Sequence, residues 1–559
     1  MKTFLPLALA LACACADRGL TDDPVRDDDP PVLRVSAPER GAIASGSGAT
    51  VTVTGQVSDA ASGVKGVAVN DRPATVQPDG KFAVTLPVQP GITLLRTVAT
   101  DVAGNAATDT RAVLGGTLVP LDTPVEHAIT AQISAGAFRF VGAVAAEAID
   151  GLDLAAAVAA ANPVVDVGVS CLKARVDVTK VQKGAADIEL TPIAGGLDLW
   201  ASVADVTVTV HVKYSALCDD GEADITVHAD HFTAAGTLGL GIIDLTGAVS
   251  VDVSDTTASF DGFTIDQDLL PDDVASLLRG PLAAALAGAV AHELETQVPG
   301  VLADLFTNLA KADPFTIGGK TVHVGVWPKA LAFTPDGGEI ALDSNVYVDN
   351  IGGTGLVYLS NPRAAPTFAG DAEDGAFRVA VADDAANQLL ASLWAAGIFD
   401  QSLPVGQGDA PAGLFDRVEL KLALPPIVAA LPAGGGVRVT AGDVLCTFLR
   451  GGEVVTKLAV SADAVLAGEL TADNRLHLVS KSPSVWLDVL EDGVNGANPL
   501  AKGQVAELGS FVGTNLVTVI GDYLGKVPIP TLSAGKIAGA AITTGDADGG
   551  YVLVSGRLE

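Results

Sequence analysis

The stretch from Leu270 to Phe306, LPDDVASLLRGPLAAALAGAVAHELETQVPGVLADLF, most constrains what this chain can fold into. Leucine and valine recur at every fourth position, which predicts a helix, and alanine widens its apolar stripe over most of the circumference. Three Gly and Pro breaks, together with His292, Glu293 and Glu295, argue against a membrane span, which needs about 20 nearly uninterrupted apolar residues. The helix therefore requires an apolar partner within the protein.

That partner is predicted to be a sheet, because much of the chain alternates like half-buried antiparallel strands. The segment DVTVTVHVKYSAL, Asp205 to Leu217, places polar residues on one face, and GAVSVDVSD repeats the pattern. The residues predicted to face inward are Val206, Val208, Val210, Val212, Tyr214, Val249, Val251 and Val253.

Helical and strand-rich segments follow each other in the same order twice, in two halves of about 200 residues. Each half contains one long apolar helix that a curved sheet has to cover, which indicates a repeated α+β unit. The predicted helical segments are Ala137–Ala160, Leu270–Ala312, Ala385–Ile398 and Leu500–Leu524.

The N-terminus, MKTFLPLALALACACADRG, is predicted to be a targeting signal. Lys2 precedes an apolar run from Phe4 to Ala12, and a small residue precedes each cysteine that follows. This pattern resembles a bacterial lipoprotein signal, with Cys15 preferred over Cys13 as the lipidated residue. Ordinary secretory cleavage is the alternative. The residue after Cys15 is alanine, so the usual aspartate cue for inner-membrane retention is missing, and we expect a lipid-anchored protein of the cell envelope, at the outer membrane.

Acidic residues outnumber basic ones by 66 to 33, which gives a formal charge of −33. Nucleic acid is therefore not an expected partner, since phosphate binding depends on lysine and arginine. The Asp- and Pro-rich segment after the signal reads as a flexible tether.

Short alternating strands separated by turn residues fill Pro31 to Gly116 and predict a small antiparallel sandwich. The closing ATDVAGNAATDTRAV resembles bacterial Ig-like modules of the glucodextranase B-domain type. Such modules act as spacers beside many functions. Asp59 and Asp101 suit turns better than a calcium site, so no metal is predicted.

The last third of the chain resembles the tandem tubular lipid-binding family, which includes bactericidal/permeability-increasing protein, lipopolysaccharide-binding protein and the plasma lipid transfer proteins. The resemblance is carried by RVAVADDAANQLLASLWAAGIF, Arg378 to Phe399, and by the closing segment from Asn515 to Glu559. It implies two elongated barrels joined by a central sheet at Thr321–Val348, and apolar pockets that hold acyl chains. The cationic tip of the lipopolysaccharide-binding members has no counterpart here.

The predicted fold class is therefore α+β, with two elongated antiparallel barrels each wrapped on long helices, a central sheet, and an N-terminal all-β Ig-like sandwich. The predicted divisions are a signal peptide at 1–15, an acidic tether at 16–30, the Ig-like sandwich at 31–116, the first barrel at 117–330, and the central strands with the second barrel at 331–559.

The predicted site consists of apolar side chains on two of the helices, which would face lipid. These residues are Leu278, Leu282, Leu286, Val290, Leu294, Leu389, Leu390 and Leu393. A disulfide between Cys171 and Cys218 is plausible in an exported protein. Cys446 alternates with apolar neighbours and is expected to be a buried free thiol.

No catalytic constellation emerges from the sequence, and no cofactor is predicted. His228 and His231 lie three residues apart, so on a regular strand they should face opposite sides and cannot share a metal. Solvent-facing histidines are the favoured interpretation. Ser533 and Lys536 fit a Ser-x-x-Lys spacing but lack its companion motifs.

The expected function is non-catalytic binding or transfer of phospholipid or another hydrophobic ligand by a lipoprotein attached to the membrane through its N-terminal lipid. One alternative is a structural or adhesive surface protein whose barrels are filled by their own side chains. A less favoured alternative is an envelope hydrolase, although no G-x-S-x-G motif occurs.

Overall fold

The structure is a computed structural model of the 559-residue chain. The predicted signal peptide, including Cys15, and most of the predicted tether lie outside the residues that it describes. The described residues are 27–150, 158, 160, 162–243, 248–266, 268–309, 314–349, 355–360, 365–366, 368, 375–405, 414–432, 436–470, 476–480, 483–494, 500–526, 537–544 and 549–558.

The chain divides into two compact units. The first comprises Met1–Pro38, Thr52–Leu86 and Arg96–Asp109, and the second comprises Glu39–Val51, Pro87–Leu95 and Thr110–Glu559. The domain limits drawn from the sequence stay a prediction.

Eight short strands lie between residues 32 and 116. They are β1 (Val32–Ala37), β2 (Ala42–Ser45), β3 (Thr50–Ser58), β4 (Val64–Val69), β5 (Arg72–Val76), β6 (Lys81–Pro87), β7 (Gly91–Asp101) and β8 (Ala106–Gly116). Within the first unit, β1 pairs with β3, β5 pairs with β6, and β4 pairs with both β5 and β7, all antiparallel. Alternate residues such as Val53 and Val57 are buried. These features fit the predicted Ig-like sandwich.

The second unit continues with β9 (Leu118–Pro120), β10 (Val125–Ser134), β11 (Val165–Val169), β12 (Leu172–Gln182), β13 (Ala186–Ile193), β14 (Gly196–Ala216), β15 (Asp219–Ile243), β16 (Ala248–Asp261), β17 (Thr264–Ile265), β18 (Phe315–Ile317), β19 (Lys320–Thr334), β20 (Gly337–Val348) and β21 (Leu356–Tyr358). Its later strands are β22 (Ala376–Ala382), β23 (Gln401–Pro404), β24 (Arg417–Leu422), β25 (Ile427–Ala430), β26 (Val437–Arg450), β27 (Glu453–Leu470), β28 (Leu476–Ser480), β29 (Ser484–Glu491), β30 (Ile537–Thr544) and β31 (Tyr551–Leu558).

Four α-helices are described. They are α1 (Phe138–Asp150), α2 (Asp272–Leu309), α3 (Asp383–Ala395) and α4 (Lys502–Leu524). Each lies within or close to a segment that the sequence predicts to be helical. At 1.5 Å per residue, α2 is about 57 Å long. It continues through Pro281 and Pro299.

Three larger sheets organise the second unit. A central sheet has the order β18-β19-β20-β10-β22-β31-β30, so it combines strands from both halves of the chain, which meet where β10 pairs with β22. The segment predicted to form it, Thr321–Val348, is the antiparallel hairpin of β19 and β20. The first-half sheet has the order β11-β12-β14-β15-β16, and the second-half sheet β23-β24-β26-β27-β28.

The first-half sheet bends where the inward-facing set of residues changes. In β14 the buried residues are Leu197 to Val203 at odd positions, then Val206 to Val212 at even positions. Asp205 lies between them with φ of 52°, a left-handed backbone conformation that few non-glycine residues adopt. The sheet can therefore curl around α2, which packs against β16, β11 and β12.

A buried ion cluster holds part of the second unit together. The Arg40 guanidinium donates to Asp443 at 2.6 Å and to Asp488 at 2.9 Å, and it also donates to the Thr110 carbonyl at 2.8 Å. Backbone N–H groups of Gly41 and Ala112 donate to the second oxygen of Asp443. The several hydrogen bonds on each carboxylate offset the desolvation that burial of a charge requires.

The architecture is thus mostly β, with few helices and with sheets that are curled half-barrels. The finer prediction of two barrels wrapped on long helices stays a prediction. In the described part of the chain, no strand pairing joins β11 to β16 or β23 to β28.

Candidate functional site

The predicted lipid-facing side of α2 lies against the first-half sheet. Leu278, Leu282 and Leu286 are buried, and Val290 is half-buried. The side chain of Leu294 lies outside the described residues. Among the residues after Val290 whose burial is described, Val298 is buried and Ala291 and Gln297 are half-buried.

An apolar cavity of about 30 Å³ lies between α2 and the sheet. Leu286 and Val290 line it from the helix, and Val206 and Val208 line it from β14, on the face that the alternating sequence predicts to be inward. The remaining lining residues are Val158, Val181, Lys183, Val203, Phe232 and Phe260.

The two phenylalanines were not among the predicted site residues. Phe232 on β15 is fully buried, and its ring centroid lies 5.1 Å from that of Phe260 on β16. Phe232 follows the point at which β15 changes its inward-facing set, from Ala229 to Phe232. Simple alternation from Val227 would have placed this ring outside, so the sequence pattern alone could not identify it.

Lys183 is the charged residue among those that line the cavity. It is half-buried. The wall that the cavity exposes is apolar, so the lysine contributes its aliphatic stem to it. The site therefore offers dispersion contacts and exclusion of water.

The predicted residues on α3 have a different environment. Leu389, Leu390 and Leu393 are at most 1% exposed and pack with Val346 and Val428 in the core. The polar side chains of the same helix hold neighbouring backbone. Gln388 accepts from the Val346 N–H at 2.7 Å and donates to two carbonyls, at Leu121 and Thr123.

Asn387 on α3 forms a reciprocal pair with Val428, at 2.7 and 3.0 Å. The Asp384 carboxylate accepts from the backbone N–H and the hydroxyl of Ser360. Together with Gln388, these side chains fix α3 to four separate segments, so the helix acts as a structural brace.

The helix α4 lies on the second-half sheet. Its buried side consists of Leu508, Val512, Leu516, Val517, Ile520 and Leu524. Gly509 and Gly513 face Leu487 and Val485 of β29 so closely that a Cβ at either glycine would collide with the opposing side chain. Among the described residues of this half, the core is filled by side chains of the protein itself.

Three histidines, His211, His228 and His231, lie on the outer side of the first-half sheet. His228 and His231 are both exposed, because β15 changes its inward-facing set between them. The expectation that they face opposite sides is therefore wrong, although the expectation of solvent exposure holds. His228 Nδ1 lies 3.3 Å from the Thr207 hydroxyl, and His211 Nδ1 lies 2.8 Å from Asp224.

Carboxylate oxygens of Asp27, Asp59 and Asp101 in the first unit lie within 4.8 Å of one another and could hold a metal ion. Asp59 accepts from the N–H groups of Ser62 and Gly63, and Asp101 accepts from those of Gly104 and Asn105. These are the turn-forming roles that the sequence favours.

The cysteines behave as a bridged pair and a buried thiol. A disulfide links Cys171 and Cys218, and Cys446 is free and buried. Burial raises the pKa of the Cys446 thiol to about 12.

Part of α2, Asp272–Gly300, is long and apolar enough to cross a membrane by length and composition, with a mean hydropathy of 1.6. About 33% of its most apolar window is buried inside the protein. Core helices of soluble proteins meet the same criterion, and the charged and helix-breaking residues noted above lie within this stretch.

A family model described as glucodextranase, domain B, matches residues 31–115. No curated protein matches the chain in sequence. Similar solved structures include lipopolysaccharide binding protein, at 10% identity and a TM-score of 0.42, covering 78% of this chain and 99% of that one. P47 of Clostridium botulinum E1 has 10% identity, a TM-score of 0.27, and coverage of 78% and 100%. Latherin has 14% identity, a TM-score of 0.22, and coverage of 31% and 87%.

These comparisons confirm both resemblances that the sequence indicates, namely an Ig-like module of the glucodextranase B-domain type and a likeness to tubular lipid-binding structures. Because the TM-scores lie below 0.5, the function proposed below rests on the cavity and not on these similarities.

Proposed function

We propose that this protein is a non-catalytic lipid-binding or lipid-transfer lipoprotein of the bacterial cell envelope, and that it holds acyl chains between α2 and the first-half sheet. The observation that carries the proposal is the apolar cavity at Leu286 and Val290. Each methylene group moved from water into such a site contributes about 0.8 kcal/mol. A chain of several methylenes is therefore held without any hydrogen bond.

Loading requires α2 to move outward. The cavity of about 30 Å³ is far smaller than the roughly 300–1,000 Å³ of typical ligand pockets, so in this form it takes only the end of a chain. Val290 is half-buried, and His292, Glu295 and Thr296 just beyond it are exposed. Displacement of this part of α2 widens the cavity at the smallest cost in packing.

Lipid extraction and native mass spectrometry of the purified chain test the proposal. We expect copurified lipid, and we expect the Val290→Trp variant to lose it because the indole fills the cavity. The matched control is Ala284→Trp, which adds the same ring at an exposed position of the same helix. A protein that carries no lipid and takes up no labelled fatty acid or phospholipid would favour the structural or adhesive alternative.

The anchor is tested separately by metabolic labelling with a fatty acid. Cys15→Ser should abolish incorporation of the label, whereas Cys13→Ser should retain it. The opposite pattern would assign lipidation to Cys13. If the parent chain incorporates no label, the N-terminus is an ordinary secretory signal and not a lipoprotein signal. That result would not affect the proposal that the cavity binds lipid.

A further inference from the structure

Two hairpin turns of the first-half sheet end side by side. β11 turns into β12 at Ser170 and Cys171, and β14 turns into β15 at Leu217 and Cys218. The disulfide between the two turns, together with the pairing of β12 with β14, holds them together. We call this end of the sheet the bridged tip, and define it as residues 169–172 and 217–218.

The bridged tip presents aliphatic side chains to solvent. Leu217 is 89% exposed and Val169 is 80% exposed, the largest values for large hydrophobic residues in the part of the chain that the structure describes, and Leu172 is 38% exposed. Apolar side chains placed singly on a surface are ordinary. Three of them on two turns that a covalent bridge joins form one small apolar point.

The backbone at the tip is unusual for the residues it carries. Leu217 and Cys218 have φ of 51° and 73°, so both central residues of this two-residue hairpin are left-handed. Such turns favour asparagine and glycine, which adopt this conformation at low cost. A leucine in this position gives up stability to hold an aliphatic side chain at the extreme end of the sheet, and outliers of this kind tend to occur at functional sites.

Charged side chains lie directly behind the apolar point. Lys173 and Lys213 are exposed on the outer face of β12 and β14, and Asp219, Asp220 and Glu222 are exposed at the start of β15. The two positive and three negative charges nearly cancel. Attraction to an anionic surface is therefore weak, and the apolar side chains dominate any binding at the tip.

The small size of the apolar point favours a lipid bilayer over a protein partner. A stable protein interface buries at least about 1,000 Å² with a complementary surface, which three aliphatic side chains do not provide. A bilayer needs no complementary shape, because it accepts individual apolar side chains at the boundary between head groups and acyl chains. The lysines behind the tip can extend to the phosphate level.

We propose that the bridged tip inserts into the interfacial region of a lipid bilayer and orients the protein at the membrane with which it exchanges lipid. The choice of a bilayer draws on the proposed function, but the tip and the cavity are separate sites. Leu217 follows β14 and lies nine positions after Val208 at the cavity, about 30 Å away at roughly 3.3 Å per position. The tip therefore docks the protein and does not form the mouth of the cavity.

Vesicle flotation of the full chain tests this inference. All proteins carry Cys13→Ser and Cys15→Ser, so that no acyl anchor contributes, and vesicles contain phosphatidylcholine alone or with phosphatidylglycerol. Leu217→Ser should weaken binding at least about tenfold, and Val169→Ser should act in the same direction. The matched control, Val489→Ser, removes a 46% exposed aliphatic side chain elsewhere and should bind like the parent. We expect similar binding to both vesicles.

A fluorescent reporter gives a second readout. In the Leu217→Trp variant, vesicles should shift the emission to shorter wavelength, and brominated lipids should quench it. The Cys171→Ala/Cys218→Ala variant should bind more weakly, because its two turns are no longer joined.

Absence of vesicle binding by the parent, equal binding by Leu217→Ser, or tip-dependent self-association in solution would each overturn the inference. Copurified lipid separates this result from the proposed function. If Leu217→Ser loses vesicle binding but keeps its lipid, the tip docks the protein independently of the cavity. If the parent binds vesicles but carries no lipid, the proposed lipid-binding function fails and the docking role of the tip stands.

Discussion

The helices α2 and α4 occupy corresponding places in the two halves of the chain, yet they pack differently. α4 lies so close to β29 that a Cβ at Gly509 or Gly513 would collide with Leu487 or Val485. In α2, Gly280 and Gly288 lie on the exposed side of the helix, and the side that faces the sheet borders the cavity at Leu286 and Val290. The described cavity adjoins α2. The comparison shows that a repeated order of elements does not imply a repeated site.

Close packing also determines which helix can move. Separating α4 from its sheet would open the contacts of six buried apolar side chains and two glycines at once, and protein interiors are too densely packed to deform by part of that amount. Between Ala291 and Gly300, the residues of α2 whose burial is described include one buried apolar side chain, Val298. A ligand that enters between helix and sheet should therefore do so in the first half of the chain.

Thiol reactivity provides the largest expected difference between the two halves. Because burial raises the pKa of Cys446 to about 12, its thiolate fraction at pH 8 is about a thousandfold below that of an ordinary cysteine. A cysteine introduced by Val290→Cys, half-buried at the cavity, should have a larger thiolate fraction and react with maleimide much faster. Peptide mass spectrometry distinguishes the two sites. Denaturant should make Cys446 reactive, and rapid labelling of native Cys446 would show that the second half opens as readily as the first.

Truncation of one side chain on each helix should give unequal losses of stability. Ile520 of α4 is fully buried, so Ile520→Ala should lower the free energy of unfolding by about 2–5 kcal/mol. Val290→Ala enlarges a cavity that already exists, at a half-buried position, and should cost about 1 kcal/mol or less. Denaturant midpoints of the delipidated proteins measure both. Equal losses would mean that α2 is as tightly packed as α4.

Much of this arrangement could be predicted from the sequence, since the signals are local. The apolar spacing in Leu270–Phe306 located α2, and alternation from Val206 to Val212 identified the wall opposite it. The sequence could not indicate that β14 and β15 change their inward-facing sets near Asp205, because that change depends on the curvature of the whole sheet. It therefore missed Phe232.

The two predicted clusters of leucines, on α2 and α3, show the same limit of prediction from sequence. Leu286 on α2 and Leu390 on α3 occur in similar apolar helical patterns, yet Leu286 borders a cavity and Leu390 is enclosed by packed side chains. Periodicity reveals which face of a helix is buried. It does not reveal how completely the opposite surface fills the space, which depends on residues far apart in the sequence.

Adding a single methyl group should change the free energy of unfolding in opposite directions in the two helices. Gly288→Ala adds a Cβ on the exposed side of α2, where it meets no other group, and the better helix propensity of alanine should raise the free energy of unfolding by up to about 1 kcal/mol. Gly513→Ala in α4 has the same propensity gain, but its Cβ would lie 2.5 Å from Val485 Cγ2. The helix must then shift, and overpacking costs about 1–3 kcal/mol, so the net change should be a loss of about 1 kcal/mol. Denaturant unfolding of the two variants measures the difference. A gain of stability in both would mean that α4 can retreat from β29 without loss, and the distinction between a fixed and a movable helix would then fail.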